Sequence, residues 1–235
     1  MSQSTEWPAR LISAGLILLL SLFALAPPAA RAAAGPAEGT FVYDILQGTS
    51  AIGSSTMTIS QPGGETVVSE KAALSGHGSV SAVSRFDAMR DLRSFTGDYR
   101  SEGRSDAVSV SAAFAKDQLT LNAPSGEVKR VAIPGTQRFL VLDGALMTDL
   151  ALAPWRFGDR PRNYLTFVSP SSASEDETVL VRDDTAARPS GLTSAARCLV
   201  VANPVVAFVW YEPGDAIARE IDIPSQGLRV KLRPR

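Results

Sequence analysis

From residue 40 onward the chain is cut into short apolar or alternating runs, roughly ten residues apart, each closed by a turn signal. This cadence is the strongest constraint on the fold. Strands joined by tight turns pair antiparallel, whereas parallel strands need long crossovers. Residues 40–47 alternate Phe41, Tyr43 and Ile45 with Thr40, Val42 and Asp44. Gly48-Thr49-Ser50 turns the chain into a second strand, 52–60. Pro62-Gly63-Gly64 turns it again into 66–74, because proline fixes one φ and glycine supplies a positive one. Further strands are predicted over 79–87, 92–100, 107–114, 118–122 and 127–133, then over 163–168, 178–183, 197–202, 205–212, 216–223 and 228–232. Segment 105–114 sets Val108, Val110 and Ala112 on one face and Ser109 and Ser111 on the other, the pattern of a sheet wet on one side.

About twelve consecutive short strands do not stay flat; such sheets twist, curl or close. The predicted fold class is mainly all-β: a strongly curved antiparallel meander sheet or half-barrel. Strand order is not written in periodicity, so a closed barrel or a sandwich also satisfies the pattern. Between 139 and 155 the period changes. Leu142, Leu146, Met147 and Leu150 recur at helical spacing, Asp143 is placed to cap, and Pro154 is placed to stop the run. One short helix over 144–152 is expected, plugging an open end of the sheet. Residues 169–177 (SPSSASEDE) read as a polar loop. Strand 205–212 is apolar on both faces, with Val205, Val209 and Tyr211 opposing Val206, Phe208 and Trp210, so it is expected to be covered on both sides.

Residues 11–26 (LISAGLILLLSLFALA) carry no charge and follow Arg10. The run is short for a ~30 Å hydrocarbon core, which needs about 20 residues, and fits the apolar core of a secretory signal. Pro27 and Pro28 end it, and Ala30-Arg31-Ala32 and Ala32-Ala33-Ala34 suit a signal peptidase. Cleavage is expected after Ala34 or Ala32. Residues 1–34 are thus read as a signal peptide and 35–235 as a single β domain, periplasmic or secreted, with no transmembrane span after cleavage. An uncleaved anchor is the alternative. No cysteine follows the apolar core, which argues against a lipoprotein.

Removing Arg10, Arg31 and Glu6 with the leader leaves 21 bases against 23 acids, a formal net charge of −2. That balance argues against a nucleic-acid partner, which calls for a basic excess on one face. Cys198 and His77 are each single in the sequence, so neither an intramolecular disulfide nor a four-ligand zinc site can be built from them. A serine triad would have to use His77, in Ser75-Gly76-His77-Gly78-Ser79, where the flanking glycines read as a turn; there is no G-x-S-x-G elbow. A Cys198/His77 envelope enzyme is the sharper catalytic alternative. Cys198 nevertheless sits in an apolar strand pattern, where a free cysteine behaves as a small hydrophobe. Catalytic residues, metal ligands and cofactors are therefore expected to be none.

The remaining candidate is the apolar and aromatic group Phe139, Leu142, Leu146, Trp155, Phe157, Phe167, Phe208 and Trp210. It reads as core, or in part as the lining of a cavity under the curved sheet. The ligand-binding candidates taken from it are Phe139, Leu146, Trp155, Phe157, Phe167, Phe208 and Trp210.

Phe41-Val42-Tyr43, Gly48 and Ile52-Gly53 at the start, with Val209-Trp210-Tyr211 and Ile223-Pro224-Ser225-Gln226-Gly227-Leu228 at the end, are similar to exported bacterial domains of unknown function. Those families resemble the curved antiparallel half-barrels of periplasmic lipoprotein and lipid carriers. The resemblance implies the fold and compartment already read from the chain, and leans toward a carrier. The expected function is a non-enzymatic envelope protein that binds a hydrophobic small molecule or lipid in the concave face. A structural module that binds an envelope protein through a sheet edge or residues 169–177 is the alternative.

Overall fold

The structure is a computed structural model; it describes residues 35–103, 107–115, 118–122, 126, 128–132, 138–142, 146–158, 164–169, 174–183, 185–202 and 205–234. Eight strands form a first meander: β1 (Gly39–Gln47), β2 (Ser50–Ser60), β3 (Thr66–Leu74), β4 (Gly78–Phe86), β5 (Leu92–Arg100), β6 (Val108–Ala115), β7 (Gln118–Asn122) and β8 (Val128–Ala132). After β9 (Arg138–Val141) come two short helices, α1 (Thr148–Ala151) and α2 (Ala153–Phe157). A second meander follows: β10 (Tyr164–Ser169), β11 (Ser174–Arg182), β12 (Arg197–Ala202), β13 (Ala207–Tyr211), β14 (Glu220–Ile223) and β15 (Leu228–Leu232).

These strands form one unclosed sheet in the order β8-β7-β6-β5-β4-β3-β2-β1-β15-β14-β13-β12-β11-β10-β9. The first and last strands meet in its centre, with Ile45 opposite Val230. All neighbours are antiparallel except β9 and β10. Parallel neighbours need a crossover that leaves the sheet plane and returns, and here that crossover carries α1 and α2. The strip is curled so far that β9, at one end of it, lies against β5, while β6, β7 and β8 continue past that contact.

Alternation fixes which side is concave. Phe41, Tyr43 and Ile45 of β1, Met57 and Ile59 of β2, Val68 and Ala72 of β3, and Val80 and Phe86 of β4 are buried on one face, together with both helices. Their sequence neighbours point outward and are mostly exposed. The curved antiparallel sheet matches the sequence expectation. The helical segment differs in detail. Pro154 does not stop a helix; it occupies the first turn of α2, where its missing amide proton leaves no bond unmade. The expected cap Asp143 lies outside the described residues. Strand β11 begins at Ser174, so half of the expected polar loop is paired with β10. Polar side chains do not prevent pairing, because the ladder is made by backbone groups.

Of the two covers expected for β13, the helix lies on its inner face, while its outer face is covered only in part. On the inner face Ala207, Val209 and Tyr211 are buried and α2 packs against the strand. On the outer face Trp210 and its partner Cys198 on β12 are buried outside the main core cluster. Val206, beyond the start of β13, is exposed.

Candidate functional site

The helices fill only one part of the concave face, and the way they are anchored shows which. Met147 and Thr148, at the start of α1, have no side-chain cap of their own. Glu70, on the inner face of β3, replaces one: its carboxyl accepts from Met147 N (2.8 Å), Thr148 N (2.9 Å) and Thr148 Oγ1 (2.6 Å), and from Ser55 Oγ on β2 (2.6 Å). Burial pushes the Glu70 carboxyl above its ordinary range, and these hydrogen bonds oppose the shift. Asp149 accepts from Val141 N and pairs with Arg156, which is fully buried. The Arg156 guanidinium lies 5.0 Å from the Phe86 ring centre and 4.6 Å from that of Phe157. Burial pushes the Asp149 carboxyl up, and the Arg156 charge opposes this.

Farther along, Trp155 meets Phe86 edge to face at 5.8 Å. Arg90 in the β4–β5 turn adopts φ 67° and donates to Trp155 O, while Arg156 Nε donates to Arg90 O. The exit of α1 is tied through Ala218 N to Ala151 O, and Tyr43 Oη donates to Ala218 O at 2.9 Å. The helices therefore run from the middle of β3 toward the end of the sheet that carries the β4–β5 turn.

The opposite end carries the β1–β2, β3–β4 and β14–β15 turns, and there the concave face opens into a cleft of about 610 Å³. Its floor is made by Leu74, Val80, Tyr99 and Leu228, which continue the inward-facing alternation of β3, β4, β5 and β15, with Ile52 beside them. Its rim is polar: Gln47, Ser75, His77, Ser79, Arg100, Ser101 and Gln226. The rim is tied together by backbone bonds from Ser75 N to Ile52 O (2.8 Å), His77 N to Leu74 O (3.1 Å) and Gly48 N to Gly227 O (3.3 Å).

Two glycines make this mouth possible. At Gly78 φ is +97° and a Cβ would stand 2.0 Å from Arg100 O, so the His77 turn reaches the end of β5 only with glycine there. At Gly53 a Cβ would stand 2.2 Å from Ala73 O. A volume of this size, with an apolar floor and a few polar groups around it, is the usual form of a small-molecule site.

The residues singled out from the sequence lie elsewhere. Leu146, Trp155, Phe157 and Trp210 are buried, Leu142 and Phe208 are half-buried, and none of them lines the cleft. Phe139 and Phe167 occupy β9 and β10, and their side chains lie outside the described residues. Cys198 and His77 are not brought together. Five strands, β2, β1, β15, β14 and β13, separate β3, which leads into the His77 turn, from β12. Cys198 is buried on the outer face and its thiol is pushed up to about 12, first by burial and then by the nearby Asp183. His77 is exposed at the mouth. Among the described residues no cluster of metal-ligating side chains occurs.

No family model matches the chain. No curated protein matches it either. Among solved structures it is similar to the crystal structure of a β-barrel-like protein of a domain of unknown function, DUF1849, from Brucella abortus. The identity is 11%, the TM-score 0.55, and the match covers 86% of this chain and 98% of that one. At this identity the likeness is one of fold, an all-β barrel-like architecture. Among the described residues no helix is long and apolar enough to cross a membrane.

Proposed function

We propose that this protein is an exported, non-enzymatic cell-envelope protein that holds a hydrophobic or lipid-like molecule in the cleft at the open end of its concave face. One observation carries the reading. The inward-facing residues Leu74, Val80, Tyr99 and Leu228 are the continuation of the core, yet the helices that cover the rest of the inner face stop short of them. Apolar area left at a concave mouth gains about 25 cal/mol per Å² when a ligand removes it from water. The export signal read in residues 1–34 and the barrel-like fold agree with such a role.

Native mass spectrometry with solvent extraction, on protein purified gently from an envelope fraction, tests it. A stoichiometric apolar molecule that is lost in a Leu228→Glu variant supports the reading. A ligand-free mass together with no uptake of added lipid removes it.

A second reading rests on a different surface. Val181, Val200 and Phe208 share the outer face of β11, β12 and β13 in register, with Val206 nearby, and Val181 and Val206 are 47% and 42% exposed. This stripe suits a protein partner. Charged substitutions at Val181 and Val206 would weaken capture of such a partner without touching ligand loading.

A further inference from the structure

The arginines on the strands at this mouth stand on the outward rows. Arg100 pairs with Ser79 on the outer face of β5 and β4, while the next pair of the ladder, Tyr99 and Val80, faces the cleft. Arg229 alternates in the same way with Leu228 and pairs with Glu220. Among the described residues no aspartate or glutamate lines the cleft. Glu102 stands at the His77 turn, 4.0 Å from where a Cβ on Gly76 would be.

A strand's own alternation does carry one polar side chain, that of Gln47, onto the inward row. Gln47 continues the series Phe41, Tyr43 and Ile45, and it is exposed where those three are buried. Its ladder partner is Leu228, on the floor of the cleft. Gly48 N donates to Gly227 O and closes this corner, which Gln226 also lines. Opposite Ile45 and Leu46 a bulge in β2 leaves Ile52 unpaired with β1, and Ile52 packs against the core and joins the lining.

A carboxamide both donates and accepts, so it matches a hydroxyl, an ester or an amide. It offers no counter-charge to a carboxylate or an ammonium, and drawing either toward an apolar floor without one is costly. Gln47 and Tyr99 lie on strands four places apart in the sheet, a distance of roughly 19 Å from the usual strand spacing. Leu74 and Val80 stand on the strands between them.

We infer that the ligand of this cleft is an uncharged amphiphile, its hydroxyl or carbonyl group held by the Gln47 carboxamide and its chain laid across Leu74 and Val80 toward Tyr99. This rests on the proposed apolar-ligand function and adds to it the neutrality of the head, the residue that holds it and the direction of the chain.

Calorimetric titration of the full chain with decanol, decanoate and decyltrimethylammonium, which share a chain and differ in head, tests it. Decanol is expected to bind about tenfold tighter than either ion. Gln47→Leu is expected to weaken decanol about fivefold, the size of one net hydrogen bond. Gln47→Lys is expected to reverse the order, with decanoate tighter than decanol, because position 47 faces the head. Arg100→Gln, on the outward row, leaves all three affinities unchanged. Residue 47 is exposed, and an unchanged circular dichroism spectrum shows that its variants are folded. An ion that binds as tightly as decanol, undiminished decanol binding in Gln47→Leu, or a Gln47→Lys variant that still prefers decanol overturns the neutral-head inference and leaves the apolar-ligand reading standing. A selective loss of decanoate in Arg100→Gln overturns it in the same way. Failure of all three probes overturns the two together.

Discussion

Glu70 is the residue whose replacement tests most of the architecture at once, because it joins β2, β3 and the start of α1 through a single carboxyl. In Glu70→Ala the hydroxyls of Ser55 and Thr148 can turn elsewhere, but the amides of Met147 and Thr148 cannot. Each buried donor left unmade costs about 1–3 kcal/mol. Removing a carboxyl that burial disfavours offsets part of this, so the net loss at neutral pH is about 2–4 kcal/mol.

Glu70→Gln is more discriminating. Met147 N donates to one carboxyl oxygen and Thr148 N to the other, so whichever way the amide is placed, its NH2 faces a backbone N–H. One orphaned donor gives a loss of about 1–3 kcal/mol, smaller than for alanine. The pH dependence separates charge from geometry. The folded pKa of Glu70 is raised above the unfolded value of about 4.3. The wild type therefore binds this proton more tightly when folded. The resulting stabilisation is fully present below pH ~4.3 and is lost as pH rises through the folded pKa. Glutamine has no such term. Urea unfolding of the two proteins between pH 5 and 8 should show the wild-type advantage shrinking as pH rises. An advantage that grows over that range, or an alanine variant as stable as the wild type, refutes the reasoning.

Three other substitutions follow from the same geometry. Arg156→Met leaves Asp149 buried without its counter-charge and should cost about 3–5 kcal/mol, while the double variant with Asp149→Leu should recover part of that loss in urea denaturation. Gly53→Ala forces a Cβ to 2.2 Å from Ala73 O and should lower stability by about 1–3 kcal/mol, read as a fall in the thermal midpoint. The Cys198 thiol, buried and pushed up to about 12, should react with an aromatic disulfide reagent at pH 8 only after denaturant is added; prompt reaction of the native protein contradicts its placement.

The sheet was legible in the sequence because its strands obey one rule locally: alternation closed by a turn. Even the inward face of β3 could be read, as Thr66, Val68, Glu70, Ala72 and Leu74 share a parity. The glutamate among them was the available sign of a buried polar clamp, and it passed as an ordinary strand residue. The cleft was not legible, since it is made where four strand ends and three turns converge, and strand order decides that convergence. His77 drew notice as a turn residue. The end of β5 meets the His77 turn only through β4–β5 pairing. The apolar and aromatic group was conspicuous in composition because large side chains dominate a core, and half of its described members, Leu146, Trp155 and Phe157, lie there. The two helices are half legible: the spacing of Leu146, Met147 and Leu150 is helical, but a proline stops one helix or starts another with the same residue, and Pro154 stands in a first turn.

The contact between β9 and β5 gives this molecule an unusual mechanical property. In a closed barrel the girth is set by strand number and stagger, and widening it means breaking ladder bonds. Here, among the described residues, no ladder joins β5 to β9, and β6, β7 and β8 run on past the contact. The girth is set instead by buried side-chain clamps, since Asp149 holds Val141 N at the end of β9 and Glu70 on β3 holds the start of α1. Widening the wall would leave the ladders of the strip intact and break those clamps first.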